Sequence, residues 1–85
     1  METVALQSSQ VLVKEAGQSN GAPRFIYQIR ADMDGGPQVS QTEEERRAAI
    51  LRVVEPISGE VSLERYEPVY DASKKIVAYD AYVVR

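Results

Sequence analysis

The sequence reads IVAYDAYVVR from Ile76 to Arg85, and this stretch decides which fold the rest of the chain can adopt. It is rich in β-branched and aromatic residues and contains neither Gly nor Pro, which is typical of a β-strand. Apolar side chains occupy both alternating sets of positions, so a strand with one solvated face is not expected. The stretch therefore predicts a long strand that is covered on both faces, either within the domain or by a partner.

Two earlier strands are predicted upstream of this stretch. The first is expected between Val4 and Glu15, with residues 1–9 forming either a frayed arm or a short extra strand. The second runs from Arg24 to Met33, where apolar and polar side chains alternate as in a strand with one buried face. Asn20-Gly21 lies between them and suits the positive φ of a hairpin tip.

One segment has the pattern of a helix. Ser40 with Glu43, and Thr42 with Glu45, form two overlapping capping-box patterns. Pro56 disfavours a helical conformation in the residue before it, so the helix is predicted to end at or just before Pro56. The side chains expected to face the sheet recur at helical spacing: Ile50, Val53 and Val54.

The segment after the helix predicts a strand that changes phase. Val61 and Leu63 lie on one parity, whereas Tyr66 and Tyr70 lie on the other, which indicates a β-bulge near Arg65. Pro68 has no N–H to donate, so this strand is expected at an edge of the sheet.

The predicted fold class is α+β. The chain is expected to form a single domain over residues 1–85 with the element order β-β-α-β-β. The sheet would be four-stranded and mostly antiparallel, with one helix on one face. Because one short helix covers a four-stranded sheet poorly, the other face is expected to be exposed or covered by a partner.

The composition excludes several kinds of chemistry. The 85 residues contain no His and no Cys, so disulfides, thiolate metal sites and His-based catalysis are not expected. No cofactor is predicted, and the net charge of -3 disfavours a polyanion as partner. The first residues lack a signal-peptide pattern, and no apolar run suits a membrane span, so a cytoplasmic protein that does not bind membranes is expected.

One loop has a partial calcium-binding pattern. Asp32, Asp34 and Glu43 match the first, third and twelfth positions of an EF-hand loop. However, Pro37 occupies the position of the sharp-turn glycine, and a strand precedes the loop where a helix belongs. The interpretation preferred here is a β-to-α loop whose acidic residues begin the helix, with no metal bound.

Asp80 interrupts the apolar run of the strand at 76–85 and allows three interpretations. A carboxylate among apolar side chains could act as a general acid or base together with Tyr79, Tyr82 or Lys74. It could also be a charge on an edge strand that prevents aggregation. Finally, it could pair with Arg30 or Arg65 across strands.

The aromatic side chains raise the possibility of a nucleic-acid-binding sheet. Bases stack on aromatic residues of such sheets, but Arg24 and Arg30 lie on the parity opposite the aromatic residues of their strand. The acidic net charge also argues against this function. The residues that would form the stacking face are Phe25, Tyr27, Tyr66, Tyr70, Tyr79 and Tyr82.

The function predicted first is a small non-catalytic protein-interaction module. It would be a regulator, an accessory subunit of a larger complex, or a phage-type inhibitor of a host complex, binding another protein or a second copy of itself through a sheet face or edge. A single-stranded nucleic-acid-binding sheet is the alternative, and a minor enzyme that uses Asp80 and Tyr comes third. The residues predicted to bind the partner are Tyr66, Tyr70, Tyr79, Asp80 and Tyr82, with Tyr79 and Tyr82 on opposite faces of their strand.

Overall fold

The protein is an α+β domain with the predicted order β-β-α-β-β. A computed structural model describes residues 11–85, so the segment 1–9 lies outside the described residues. The elements are β1 (Val11–Ser19), β2 (Ala22–Arg30), α1 (Glu43–Ser58), β3 (Ser62–Tyr70) and β4 (Ile76–Val84).

The four strands form one antiparallel sheet in the order β1-β2-β4-β3. Strand β4, which comes from the stretch at 76–85, is therefore central and pairs with a neighbour on each side. Tyr79, Ala81 and Val83 are buried on one face, while Ala78 and Asp80 are buried on the other. The prediction that both faces of this strand are covered is confirmed for its middle.

A two-residue turn joins β1 and β2. Asn20 and Gly21 have φ values of 53° and 83°, as predicted for the hairpin tip. This tight turn lets the strands pair up to Ser19 opposite Ala22, so β1 extends beyond its predicted end at Glu15 although the added residues have weak β-propensity.

The helix begins as one of the two capping boxes predicts. Thr42 is the N-cap: its Oγ1 accepts the Glu45 N–H at 3.2 Å, and the Glu45 carboxylate accepts the Thr42 N–H at 3.0 Å. Both hydrogen bonds satisfy donors that a helix start leaves unpaired.

The predicted end of the helix is wrong. The helix continues through Pro56 to Ser58. Pro56 lies in the last turn, so its missing N–H and its ring disturb only one helical step. Gly59 then closes the helix with φ 82° by donating its N–H to the Glu55 carbonyl at 2.8 Å.

The core lies between α1 and one face of the sheet. Ile50 and Val54 are fully buried there against residues such as Ile29 and Val83, while Val53 is half-buried at the side of the core. The three helix positions predicted to face the sheet therefore do contact the core.

Strand β3 lies at an edge of the sheet, as Pro68 predicts. Its register shifts between Leu63 and Arg65, which is the predicted bulge. The extra residue brings Leu63 and Tyr66 onto the same face, where both pack against the core.

Candidate interaction surface

The sheet has two faces of different character. The helix face carries the core. The other face is here called the polar face. The strand registers and the contacts described below show which residues belong to it. Its members are Leu12, Lys14, Glu15, Gly17, Arg24, Ile26, Gln28, Arg30, Ser62, Glu64, Arg65, Glu67, Val69, Ala78, Asp80, Tyr82 and Val84.

Asp80 lies in the middle of the polar face, and two other strands hold its carboxylate. Lys14 Nζ donates to Oδ2 at 2.9 Å, and Gln28 Nε2 donates to Oδ1 at 3.2 Å. Asp80 is only 9% exposed. Because β4 is central, the interpretation of Asp80 as an exposed edge charge is wrong. The expected pairing with Arg30 or Arg65 is wrong as well, since the partner is Lys14.

The ion pair at Asp80 stabilises the charged form of the lysine. The hydrogen bond to Asp80 and the charge of that carboxylate together raise the pKa of Lys14. The Lys14 side chain is 45% exposed, whereas that of Asp80 is 13% exposed. The lysine thus reaches over the sheet from solvent and covers a carboxylate that the neighbouring strands have largely enclosed.

Tyr82 is the aromatic residue of the polar face. The guanidinium carbon of Arg65 lies 4.0 Å from the centre of its ring, and that of Arg24 lies 5.6 Å away. Both distances allow a cation–π attraction. The Tyr82 hydroxyl lies 3.5 Å from the Glu67 carboxylate, which is a long and weak contact at the tip of the ring.

The two arginines beside Tyr82 are themselves paired with carboxylates. Arg65 Nε lies 3.3 Å from Glu67 Oε2, and Arg24 Nε lies 3.3 Å from Glu64 Oε1. The second pair is within ion-pair distance but lacks the geometry of a hydrogen bond, which leaves the buried Arg24 Nε–H without an acceptor among residues 11–85. An unsatisfied buried donor is costly, and the Glu64 carboxylate 3.3 Å away offsets part of that cost by its charge.

A hollow of about 390 Å³ opens next to Tyr82 at the side of β1. Gly17 contributes no side chain there, and a Cβ added to it would have no neighbour within 4 Å. The hollow is lined by Glu15, Ala16, Gly17, Gln18, Arg24, Ile26 and Tyr82.

The other predicted tyrosines lie elsewhere. Tyr66 and Tyr79 are on the helix side, with ring centres 5.7 Å apart in an edge-to-face contact, and Arg46 donates to the Tyr66 hydroxyl at 3.2 Å. Burial raises the pKa of Tyr79. Tyr70 is 58% exposed at the end of β3. Of the five residues predicted for partner binding, only Asp80 and Tyr82 share the polar face.

The aromatic side chains therefore do not form one platform. Phe25, Tyr27 and Tyr79 lie on the helix face with Tyr66, while Tyr82 lies on the opposite face. Alternation along β2 and β4, together with the bulge in β3, produces this division. The stacking surface considered for nucleic acid is thus not assembled within the described part of the chain.

Several residues of the polar face escape notice in the sequence. Lys14, Gln28 and Glu64 resemble ordinary solvated positions, and Gly17 resembles part of a turn. Only the strand order shows that the first two meet at Asp80. The alternation of side chains along β2 does predict one of them, because Gln28 lies on the same side of that strand as Arg24 and Ile26.

A second hollow, of about 330 Å³, lies at the end of β2 near the β3–β4 turn. Its two carboxylates already have partners: Asp32 accepts two hydrogen bonds from Arg30 at 3.1 and 3.2 Å, and Asp71 accepts bonds within its own turn. Among residues 11–85 no three acidic side chains are clustered as a metal site needs. The absence of a calcium site at Asp32 stays a prediction.

Within residues 11–85, no helix has the length and apolar composition needed to cross a bilayer. Comparison of the chain with known protein families, with curated proteins and with solved structures yields no match.

Proposed function

We propose that this protein is a non-catalytic protein-interaction module that binds its partner through the polar face, with Tyr82 at the centre of the contact. The observation that carries the proposal is the arrangement of Tyr82 between Arg24 and Arg65. Tyr and Arg are the residue types that most often dominate binding energy at protein interfaces. Each guanidinium group lies beside a carboxylate and near the ring, which restricts its positions before binding and lowers the entropy cost of ordering it.

The partner should present acceptors to this face. The Arg24 side chain is 33% exposed beside Glu64, and the exposed part of its guanidinium can donate to a partner carboxylate or backbone carbonyl. Ile26 and the Tyr82 ring offer half-buried apolar area beside it. An arginine next to an aromatic ring and an aliphatic side chain fits a polypeptide surface.

The charge pairing of the polar face favours a protein over a nucleic acid. Lys14, Arg24 and Arg65 each lie beside a carboxylate of the same face. A phosphate backbone would have to compete with those carboxylates, and the net charge of the chain is -3. With only Tyr82 available for stacking on this face, single-strand binding is the weaker proposal.

Catalysis by Asp80 is also the weaker proposal. Its carboxylate is engaged by Lys14 and Gln28, and it lines neither of the two hollows described above. A general acid or base has to reach its substrate. We therefore propose no enzyme activity and no cofactor, and we propose that the protein acts in the cytoplasm.

The test is a capture experiment in which Tyr82→Thr is compared with wild type and with Tyr70→Thr. Threonine keeps a β-branched side chain in the strand, so both variants should fold. Tyr70 is the matched control because it is an exposed tyrosine at the end of β3, after the second register shift, and is not among the residues of the polar face. A photoreactive residue in place of Ser62, an exposed residue of the polar face that makes none of these contacts, should cross-link the partner with wild-type Tyr82 and in Tyr70→Thr, and should lose most of the adduct in Tyr82→Thr.

The proposal fails if Tyr82→Thr captures the same adduct at an undiminished level, or if no adduct forms with any bait. Retention on immobilised oligo-dT that disappears as salt is raised, and that requires Arg24 and Arg65, would support the nucleic-acid function instead.

A further inference from the structure

Strand β1 is an edge strand with an unusual pattern of exposure. Within residues 11–85 it pairs only with β2, over nine residues. Leu12 is 50% exposed on the polar face, and Val13 is 57% exposed on the helix face. A long edge with exposed apolar side chains is a template for pairing with another strand. The opposite edge is less suited to pairing, since β3 contains Pro68 and two register shifts.

The register of β1 shifts between Val13 and Glu15, which makes Lys14 the extra residue of a bulge. Lys14 contacts Asp80, and Glu15 lines the hollow with Tyr82, so these two consecutive residues lie on the same face. In a regular strand, consecutive side chains point to opposite faces. The bulge thus places a positive and a negative side chain next to each other on the polar face.

This bulge selects one way of pairing β1 with a second copy of itself. Residues directly opposite each other in an antiparallel pair must lie on the same face. Among registers that span the bulge, only the one centred between Lys14 and Glu15 meets this condition along the strand. It places each Lys14 opposite the second copy's Glu15, so no like charges face each other across the pair, while the Lys14 ammonium itself stays at Asp80.

The same register also matches shape. It places Val13 opposite the second copy's Ala16 on the helix face. On the polar face it places the exposed Leu12 opposite the second copy's Gly17, next to the hollow of about 390 Å³ that the glycine leaves open. One register therefore keeps like charges apart, brings apolar residues opposite each other, and sets a protruding side chain beside a hollow.

We infer that the protein forms a homodimer in which two β1 strands pair antiparallel, with the twofold axis between Lys14 and Glu15. The two sheets become one sheet of eight strands, and both polar faces lie on the same side of it. This dimer does not depend on the partner proposed above, because its main contact is the backbone edge of β1. The second copy's Leu12 lies beside the hollow that Tyr82 also lines, and the Tyr82–Arg65 contact stays open on the face.

The first test measures the mass of the full chain in solution. Light scattering and sedimentation over about 1 to 100 µM should show the mass approaching twice the 9.5 kDa of one chain as concentration rises. A mass that stays at 9.5 kDa across this range overturns the dimer, whatever the capture experiment with Tyr82→Thr shows.

The second test traps the register by disulfide formation, which is simple to interpret because the chain has no Cys. The double variant Val13→Cys, Ala16→Cys should oxidise to a covalent dimer, since directly opposed Cα atoms lie within disulfide range. The two positions are too far apart along one strand, roughly 10 Å, to bridge within a chain. The control Leu12→Cys, Ala16→Cys joins opposite faces and should cross-link poorly; equal cross-linking of both variants overturns the register.

The third test separates association from folding. Gly17→Val should fold as well as wild type, because Gly17 is not in the left-handed region and its Cβ would meet no neighbour. It fills the hollow opposite the second copy's Leu12, so the dimer should weaken by about tenfold or more. Gly17→Ala is the milder control. A Gly17→Val protein that is equally stable and dimerises as wild type overturns the inference.

Discussion

Single polar side chains hold the irregular parts of this sheet. In the turn between β3 and β4, Asp71 Oδ1 accepts three hydrogen bonds: from the Ser73 N–H at 2.9 Å, the Ser73 hydroxyl at 2.7 Å and the Lys75 N–H at 3.0 Å. These bonds lower the pKa of Asp71, with the Lys75 backbone bond contributing most. In this turn the backbone of Lys74 has a φ of 68°, a conformation that residues other than Gly rarely adopt. The carboxylate thus compensates locally for a strained backbone.

The pKa of Asp71 makes a prediction about acid stability. Because the pKa is lower in the folded than in the unfolded protein, the ionised carboxylate stabilises the fold fully above its unfolded pKa, near 3.8. That contribution is lost as the pH falls through the folded pKa. Asp71→Asn should therefore lower the urea midpoint at pH 7, and the difference from wild type should shrink steadily between about pH 5 and pH 2.

The control for this prediction is Asp34→Asn, which removes the same charge from another exposed loop position. It should shift the midpoint much less at pH 7. If the urea midpoint of Asp71→Asn stays below that of wild type by the same amount down to pH 2, the side chain acts through its shape and not through its charge.

For single residues, the face of a strand on which a side chain lies is predictable from the sequence, but its contact partner on another strand is not. The parity of β4 correctly separated Tyr79 from Tyr82, because every second side chain must share a face. The partner of Asp80 was not predictable, since Lys14 reaches it only when β4 lies beside β2 and β1 carries a bulge. The order of the strands in the sheet depends on the whole chain, so it cannot be predicted from a residue and its neighbours in sequence.

The start of α1 offers a prediction at the scale of the element. Thr42 accepts a helix N–H and is paired reciprocally with Glu45, whereas Ser40 is exposed two residues before the helix cap. Thr42→Ala should cost about 1 kcal/mol of unfolding free energy, because it removes the cap. Ser40→Ala, which tests the other capping pattern, should change the unfolding free energy by less than about 0.5 kcal/mol. Urea denaturation of both variants decides between the two starts; a larger loss in Ser40→Ala contradicts the assigned cap.

The packing of α1 on the sheet is tested by charge. Val54 is fully buried in the core cluster, so Val54→Asp would bury a charge without a partner. It should destabilise the fold by on the order of 4 kcal/mol or more, which is enough to unfold a domain of this size. Arg52→Glu reverses a charge on the exposed side of the same helix and should change stability by less than about 0.5 kcal/mol. Circular dichroism and thermal melting of the two proteins measure the contrast, and a folded Val54→Asp protein would refute the packing.

The bounds of the elements were less predictable than their existence. Pro56 suggested a helix end because proline disfavours helix in the residue before it, yet the final turn tolerates it and Gly59 supplies the actual stop. Strand β1 was predicted to end at Glu15 because Gly17 and its neighbours have weak β-propensity. Pairing with β2 outweighs that propensity once the Asn20-Gly21 turn sets the register.

The molecule as a whole is organised around β4. Its pairing with β2 brings Ile29 opposite Tyr79 and Arg24 opposite Val84, although these residues are far apart in sequence. The strand that comes last in the chain therefore lies between two earlier strands, β2 and β3. Contacts of such long range have to form after much of the chain has been ordered. The two central strands are therefore expected to open only when the whole domain unfolds, whereas each edge strand can detach while the rest stays folded.

Amide hydrogen exchange tests this organisation in the full chain. At a dilute concentration, where the protein is monomeric, backbone amides of β2 and β4 such as those of Ile29 and Ala81 should exchange most slowly, at the rate of global unfolding. Amides of β1 and β3 should exchange faster, because each strand loses only one neighbour when it opens. Edge amides that outlast those of β4 would contradict the strand order. Raising the protein concentration should then slow exchange in β1 but not in β3, because only β1 gains a second neighbour when two copies pair; β3 is the internal control for any general effect of concentration.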